Sequence, residues 1–230
     1  MRKDLLQLGM LIDKAKSLND VPKIREYLDI LKNYVTNDLR HNEKIYFHYI
    51  YAIALCDLRQ HTTSPNEKLY NQPLVDQELY HLRVAENICL QVGVNGSEED
   101  VSLNSIKSHI YTNLGNLYDH TGRFVEAMRS WQLALHFTPE FAMAEFNIGF
   151  SLMNTIYYYE AICFEDLKYL SYYYMNKYKN DWRFQRNYPA IEEYYNGMYQ
   201  NAVIKPSPKP LQLSDTKEDL YRYWCVSNCL

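Results

Sequence analysis

Apolar residues recur at intervals of three and four along most of this chain, the spacing that places side chains on one face of an α-helix. The pattern is clearest in residues 108–139, where it predicts two amphipathic helices on either side of Thr121-Gly122. Glycine can adopt the left-handed conformation that closes a helix, and so short a turn makes the second helix return antiparallel. The predicted apolar faces comprise Tyr111, Leu114, Gly115 and Tyr118 in the first helix, and Phe124, Ala127, Met128, Trp131, Ala134 and Leu135 in the second.

The order of small and large residues on these faces indicates close helix packing. Two helices approach to about 8–10 Å only where small side chains lie at the contact. Gly115, Ala127 and Ala134 meet this need, and Trp131 fills the space beside them. The stretch therefore resembles the tetratricopeptide repeat (TPR), in which an aromatic residue, Leu, Gly, an aromatic residue, Ala, an aromatic residue, Ala and Pro occur in order. The matching residues are Tyr111, Leu114, Gly115, Tyr118, Ala127, Trp131, Ala134 and Pro139.

A second copy of the pattern follows the first at an offset of 34 residues, which is the period of this family. In its second helix, Glu165 and Lys168 stand where an aromatic residue and an alanine are expected, so we expect that helix to pack differently. The resemblance implies an all-α fold, a TPR-like α-solenoid of antiparallel helical hairpins with a C-terminal capping region. The residues that recur at this offset are Asn113 and Asn147, Gly115 and Gly149, and Ala127 and Ala161.

The chain before residue 108 is predicted to form two further helical pairs. Residues 2–35 predict a terminal pair, whose second helix begins at Asn19-Asp20-Val21-Pro22 with a cap and a proline in the first turn. Residues 42–58 and 75–92 predict the next pair, joined by a polar surface loop. We expect the segment 92–105 to be a second, solvated loop.

Three domains or segments are predicted along the chain. Residues 1–201 form the TPR-like repeat domain, including the capping region. Residues 202–213 are a linker, because their alternating prolines favour an extended chain. Residues 214–230 predict a terminal helix, for which we expect either that it is the start of a second domain cut off at Leu230 or that it docks on a missing domain.

The composition narrows the class of protein. The 230 residues are 47% hydrophobic and 23% charged, with seven glycines and eight prolines, which favours a helical globular protein. A net charge of -4 argues against a general phosphate-binding surface. Five cysteines without CxxC spacing indicate free thiols in a reducing cytoplasm, so no metal and no cofactor are expected. Charged residues interrupt the apolar N-terminal run early, so we predict an amphipathic helix and no membrane association.

Sequence motifs of catalysis are sparse. The sequence lacks a nucleotide-binding loop and the HExxH and GxSxG motifs, and we predict that the chain is not an enzyme. One alternative stays open, because Arg129 and His136 are spaced much as the catalytic Arg and His of HEPN ribonucleases. The last residues, DLYRYWCVSNCL, are also similar to the start of the HEPN domain of some bacterial proteins that carry TPRs. This alternative is a nucleic-acid-processing protein that contacts its substrate through residues 169–188.

Recognition is the better supported function. In TPR proteins the first helix of each hairpin lines a concave groove, so the resemblance implies a groove with a hydrogen-bonding wall and an apolar wall. Asparagine side chains can pair with an extended peptide backbone, and Phe and Met accept apolar side chains. We therefore predict noncatalytic binding of a protein or peptide, as the sensory or docking part of a larger bacterial effector. The predicted groove residues are His109, Thr112, Asn113, Asn116, Asp119, His120, Met143, Phe146, Asn147, Phe150 and Met153.

Overall fold

A computed structural model describes residues 1–62, 71–95, 101–159 and 165–184 of the chain. These residues form eight α-helices and no β-strand, which confirms the predicted all-α class for the described part. The predicted linker, 202–213, and the predicted terminal helix, 214–230, lie outside it. The helices are α1 (Lys3–Ser17), α2 (Val21–Lys32), α3 (His41–Thr62), α4 (Gln72–Asn95), α5 (Val101–His120), α6 (Phe124–Phe137), α7 (Ala142–Tyr159) and α8 (Glu165–Lys177).

Two helix boundaries follow the local signals in the sequence. The side chain of Asp20 accepts a hydrogen bond from the backbone N–H of Lys23 at 3.1 Å, and Pro22 lies in the first turn of α2. Gly122 has a φ of 75°, the left-handed conformation predicted for the turn between α5 and α6.

Other boundaries differ from the prediction. Helix α3 continues to Thr62, into the segment predicted as a loop, and α5 begins at Val101 inside the second predicted loop. Helix α7 begins at Ala142, two residues after Glu140, whose φ of 60° is not helical. Polar composition had suggested loops at the first two places, but polar residues are tolerated on the solvent-facing side of a helix.

The contact between α5 and α6 is centred on Gly115 and Trp131. A methyl group added at Gly115 would lie 2.4 Å from the indole Nε1 atom, so the glycine is required for this close approach. The indole N–H donates to the carbonyl oxygen of Thr112 at 3.2 Å and to Oδ1 of Asn116 at 3.0 Å. Trp131 is only 1% exposed, which confirms its predicted place in the core.

The contacts divide the chain into two compact units, Met1–Thr138 and Pro139–Leu230. In the first unit, consecutive helices pack as α1 with α2, α3 with α4 and α5 with α6, and α3 also contacts α1 and α5. In the second unit α7 packs against α8, where the hydroxyl of Ser171 donates to the carbonyl oxygen of Gly149 at 2.8 Å. Among the described residues, no helix has both the length and the apolar character needed to cross a membrane.

Candidate functional site

Helices α1, α3 and α5 of the first unit surround a cavity of about 310 Å³. Helix α3 supplies its centre, because Tyr46, Tyr49, Ile50 and Ile53 follow the helical spacing of three and one and therefore share a face. The complete lining is Gly9, Ile12 and Asp13 from α1, Tyr46, Tyr49, Ile50 and Ile53 from α3, and Ser105, Ile106 and His109 from α5.

Gly9 leaves room for the ring of Tyr46. A methyl group added to this glycine would stand 2.1 Å from the tyrosine hydroxyl oxygen and 3.0 Å from the ring carbon that carries it. A larger residue at position 9 would require the ring to shift. The absence of a side chain on α1 therefore lets an aromatic side chain of α3 lie at the cavity.

Tyr49 packs against α5. The Nδ2 atom of Asn113 donates to the carbonyl oxygen of His109 at 2.8 Å. The rings of Tyr49 and His109 lie 6.0 Å apart between centroids and are tilted by 57°. These contacts bring the Tyr49 and His109 rings together at the cavity wall.

The cavity has a negative electrostatic character. Asp13 is exposed at the edge of the cavity and forms no ion pair with any residue that the structure describes. Burial lowers the pKa of His109, so its imidazole is neutral at pH 7. Burial raises the pKa of Tyr46 and of Tyr49, with the charge of Asp13 adding to both, so both hydroxyls stay protonated.

The groove residues predicted on α5 have different environments. His109 lines the cavity, and the side chain of Asn113 donates to the carbonyl oxygen of His109. Thr112 is 3% exposed and its hydroxyl donates to the carbonyl oxygen of Ser108, so this side chain offers little surface to a ligand. Asn116 accepts from the Trp131 indole, as described above.

The last two predicted residues of α5 lie near its C-terminal end. Asp119 is partly exposed and His120 is exposed. Nδ1 of His120 lies 3.5 Å from a guanidinium nitrogen of Arg59 on α3. Neither lines the cavity.

The groove residues predicted on α7 lie in the second unit. Phe146 and Met153 are buried in a core cluster with Met175 and Phe184, and the ring of Phe146 stacks on that of Phe184 at 3.9 Å. These two side chains therefore serve packing within their own unit. Met143 and Phe150 are partly buried against the same cluster, and Asn147 is partly exposed. That the α5 and α7 residues form one groove stays a prediction.

Two of the four basic residues in 169–188, the segment considered for nucleic acid binding, are paired with carboxylates. Nζ of Lys177 lies 2.7 Å from Oε2 of Glu145, and Nε of Arg183 donates to Oδ1 of Asp181 at 2.9 Å. Lys179 is exposed. Two of these cations are thus already matched by carboxylates, which weakens the case for a phosphate-binding surface. Arg186 lies outside the described residues.

Arg129 and His136 are both exposed on α6, and catalysis by them stays untested. In the described ranges, no cluster of three or more His, Cys, Asp or Glu side chains has the arrangement of a metal site. Cys56 and Cys89 are free thiols, and burial raises the pKa of each to about 12. Cys163, Cys225 and Cys229 lie outside the described residues.

Sequence reasoning missed the contributions of α1 and α3 to the cavity. The helical period in α3 was visible, but it did not show which neighbours the tyrosines would meet. One signal was present, because Tyr46, Tyr49, Ile50 and Ile53 have the same three, one, three spacing as the apolar face of the best repeat.

Comparison of the sequence and the structure with known proteins identifies no relative. No family model matches the chain, and neither a curated protein nor a solved structure matches it.

Proposed function

We propose that this chain is a noncatalytic scaffold of TPR-like helical hairpins, stacked as an α-solenoid, that binds a peptide segment of a partner protein. The observation that carries the proposal is the cavity to which α1, α3 and α5 all contribute side chains. These are the first helices of the three consecutive pairs in the first unit. A stack of hairpins brings its first helices to one side, and a partner would bind on that side.

The size of the cavity favours one or two side chains of an extended segment as the ligand. Its volume of about 310 Å³ is at the lower end of the range found for ligand pockets. Four isoleucines supply apolar contact, whereas two tyrosine hydroxyls, a serine and a histidine supply hydrogen-bonding groups. An apolar surface with a few fixed polar groups suits recognition of a side chain together with nearby peptide backbone.

The packing of the cavity walls supports the same proposal. The Tyr46 ring lies against Gly9, and the Tyr49 ring packs beside that of His109. Rings that already pack against neighbours lose less freedom on binding, which lowers the entropy cost of association.

Selection of peptides by the full chain tests this function. A displayed library of random 12-residue peptides is panned against the protein, and the dissociation constants of the selected peptides are measured by fluorescence anisotropy. Ser105 is exposed and lines the cavity, so Ser105→Trp places a large ring across the opening without altering the core. The matched control is Ser17→Trp, at an exposed position of α1 outside the cavity.

We expect Ser105→Trp to weaken peptide binding about tenfold or more, which corresponds to about 1.4 kcal/mol. Ser17→Trp should leave the dissociation constant unchanged, and circular dichroism should show equal helicity for all three proteins. If no peptide is selected, or if both variants bind as the wild type does, the proposed function at this cavity is wrong.

A further inference from the structure

The cavity between α1, α3 and α5 contains one fixed charge, and that charge is negative. Asp13 is the one acidic residue of the lining, and neither lysine nor arginine is among the ten lining residues. Its carboxylate has no ion-pair partner within the described ranges, and the neutral ring of His109 does not balance it. A ligand that brings a positive charge would therefore meet an uncompensated carboxylate.

Two tyrosine rings line the cavity together with that carboxylate. Tyr46 and Tyr49 are three residues apart on α3, and both contribute to the lining. The face of an aromatic ring attracts a cation because its quadrupole is negative there, and a phenolic oxygen also accepts a hydrogen bond. The Tyr46 ring lies against Gly9, and the Tyr49 ring packs beside that of His109, so both rings are in place at the cavity.

The remaining lining suits the aliphatic part of a long basic side chain. Ile12, Ile50, Ile53 and Ile106 contribute apolar surface beside the tyrosines. Lysine and arginine bury their methylene stems against such surfaces and keep the charged head near water. Because Asp13 is exposed, the head can pair with it there and keep part of its hydration.

We propose that this cavity binds the lysine or arginine side chain of an extended peptide segment in a partner protein. Asp13 pairs with the cationic head, Tyr46 and Tyr49 flank it, and the isoleucines contact the stem. This inference rests on the proposed function and specifies the ligand of the same site. The other two classes of side chain fit less well. An acidic side chain would be repelled by Asp13, with no cation in the lining to attract it, and an apolar side chain would bury the polar groups of the lining without hydrogen-bonding to them.

The peptide selection described above also tests the inference, because the identity of the selected residues is read directly. We expect lysine or arginine to be enriched at one position of the peptides that wild-type protein selects. The best peptide is then compared with a version that has norleucine, an uncharged residue with a similar stem, at this position. Both peptides are titrated against the wild-type protein, Asp13→Asn and Asp38→Asn. Asp38→Asn is the matched control, because it removes one exposed charge outside the cavity.

We expect Asp13→Asn to weaken binding of the basic peptide about two- to fivefold, the range of an ion pair that is open to solvent. Asp38→Asn should have no effect, and the norleucine peptide should bind the three proteins equally. Raising the salt concentration should weaken binding of the basic peptide to the wild-type protein more than its binding to Asp13→Asn. Asp13→Lys should reverse the selection towards acidic residues.

The two proposals can fail separately. Binding at the cavity is shown when Ser105→Trp abolishes it. If the peptides that bind there share no basic residue, the basic-side-chain inference is overturned and the peptide-binding function stands. Equal binding of the basic peptide to wild type and Asp13→Asn would also overturn the inference. Failure to select any peptide would overturn both.

Discussion

Substitution of Gly115 by alanine isolates the close contact between α5 and α6. In the interior of an exposed helix this change is stabilising by about 0.8–1.0 kcal/mol, because alanine has the higher helix propensity. Here the added methyl carbon would stand 2.4, 2.5 and 2.8 Å from Nε1, Cδ1 and Cε2 of Trp131. All three distances are shorter than any real contact of a methyl carbon, so the indole or the helices must move.

The size of the effect follows from what that movement disrupts. Overpacking of a core costs about 1–3 kcal/mol. The indole N–H also loses its bonds to Thr112 and Asn116, and as one donor it contributes about 0.5–1.5 kcal/mol. After subtracting the propensity gain, we expect Gly115→Ala to destabilise the protein by about 1–3 kcal/mol.

A double-mutant cycle with Trp131→Leu separates the clash from the propensity. Leucine has no ring beside Gly115, so alanine at position 115 should be neutral or stabilising by up to about 1 kcal/mol in that background. Free energies of unfolding are measured by urea denaturation with the helical circular dichroism signal. The reasoning is refuted if Gly115→Ala leaves the free energy of unfolding of the wild type unchanged. It is also refuted if the substitution lowers that free energy equally with tryptophan and with leucine at position 131.

Two further predictions concern buried polar contacts in the first unit. Nε of Arg59 donates to Oε2 of Glu78 at 2.9 Å, and the two side chains are 2% and 1% exposed. Glu78→Gln should therefore cost about 3–5 kcal/mol in urea denaturation, whereas the paired change Arg59→Met with Glu78→Leu should be neutral or stabilising. Nδ1 of His48 and Nδ1 of His81 lie 2.8 Å apart, and burial lowers the pKa of each to about 4. Both pKa values lie below the unfolded value of 6.5, so the stability they provide is present above pH 6.5 and is lost as the pH falls towards 4. Between pH 7 and 4.5 each histidine contributes about 2 kcal/mol of this loss, so the wild type should lose about 4–5 kcal/mol more than the variant with His48→Phe and His81→Phe.

Each of these predictions has an outcome that contradicts it. Equal stability of Glu78→Gln and wild type would mean that water reaches the ion pair. Parallel pH profiles for wild type and the double histidine variant would mean that the imidazole pair does not resist protonation. Asp4 and Glu43 also have lowered pKa values, each about 2. Both are present in the wild type and in the double histidine variant, so they do not contribute to the difference between the two pH profiles.

Several features of the fold could be predicted because their causes are local. A helical period of apolar residues, a capping aspartate before Pro22 and a glycine at position 122 each act within a few residues of the chain. The contact of Gly115 with Trp131 could also be predicted, because the two residues belong to consecutive helices joined by a short turn. Such a turn leaves few ways for the second helix to return.

The side of a helix that faces a ligand could not be predicted in the same way. Thr112 and Phe146 were expected in a groove, but both are buried inside their own units. The spacing of three and four that marks a binding face is the same spacing that marks a packing face. Only the positions of the neighbouring helices distinguish the two.

The sequence by itself determined that this chain is helical, where its clearest turn lies and which small residue lets two helices touch. The tertiary structure decided which residues meet at the cavity. Gly9, Tyr46 and His109 lie on three helices far apart in the chain, and their proximity depends on how α3 packs against both α1 and α5. The physical reason is that helix formation is driven by local periodicity, whereas the composition of a cavity depends on non-local packing that no single helix encodes.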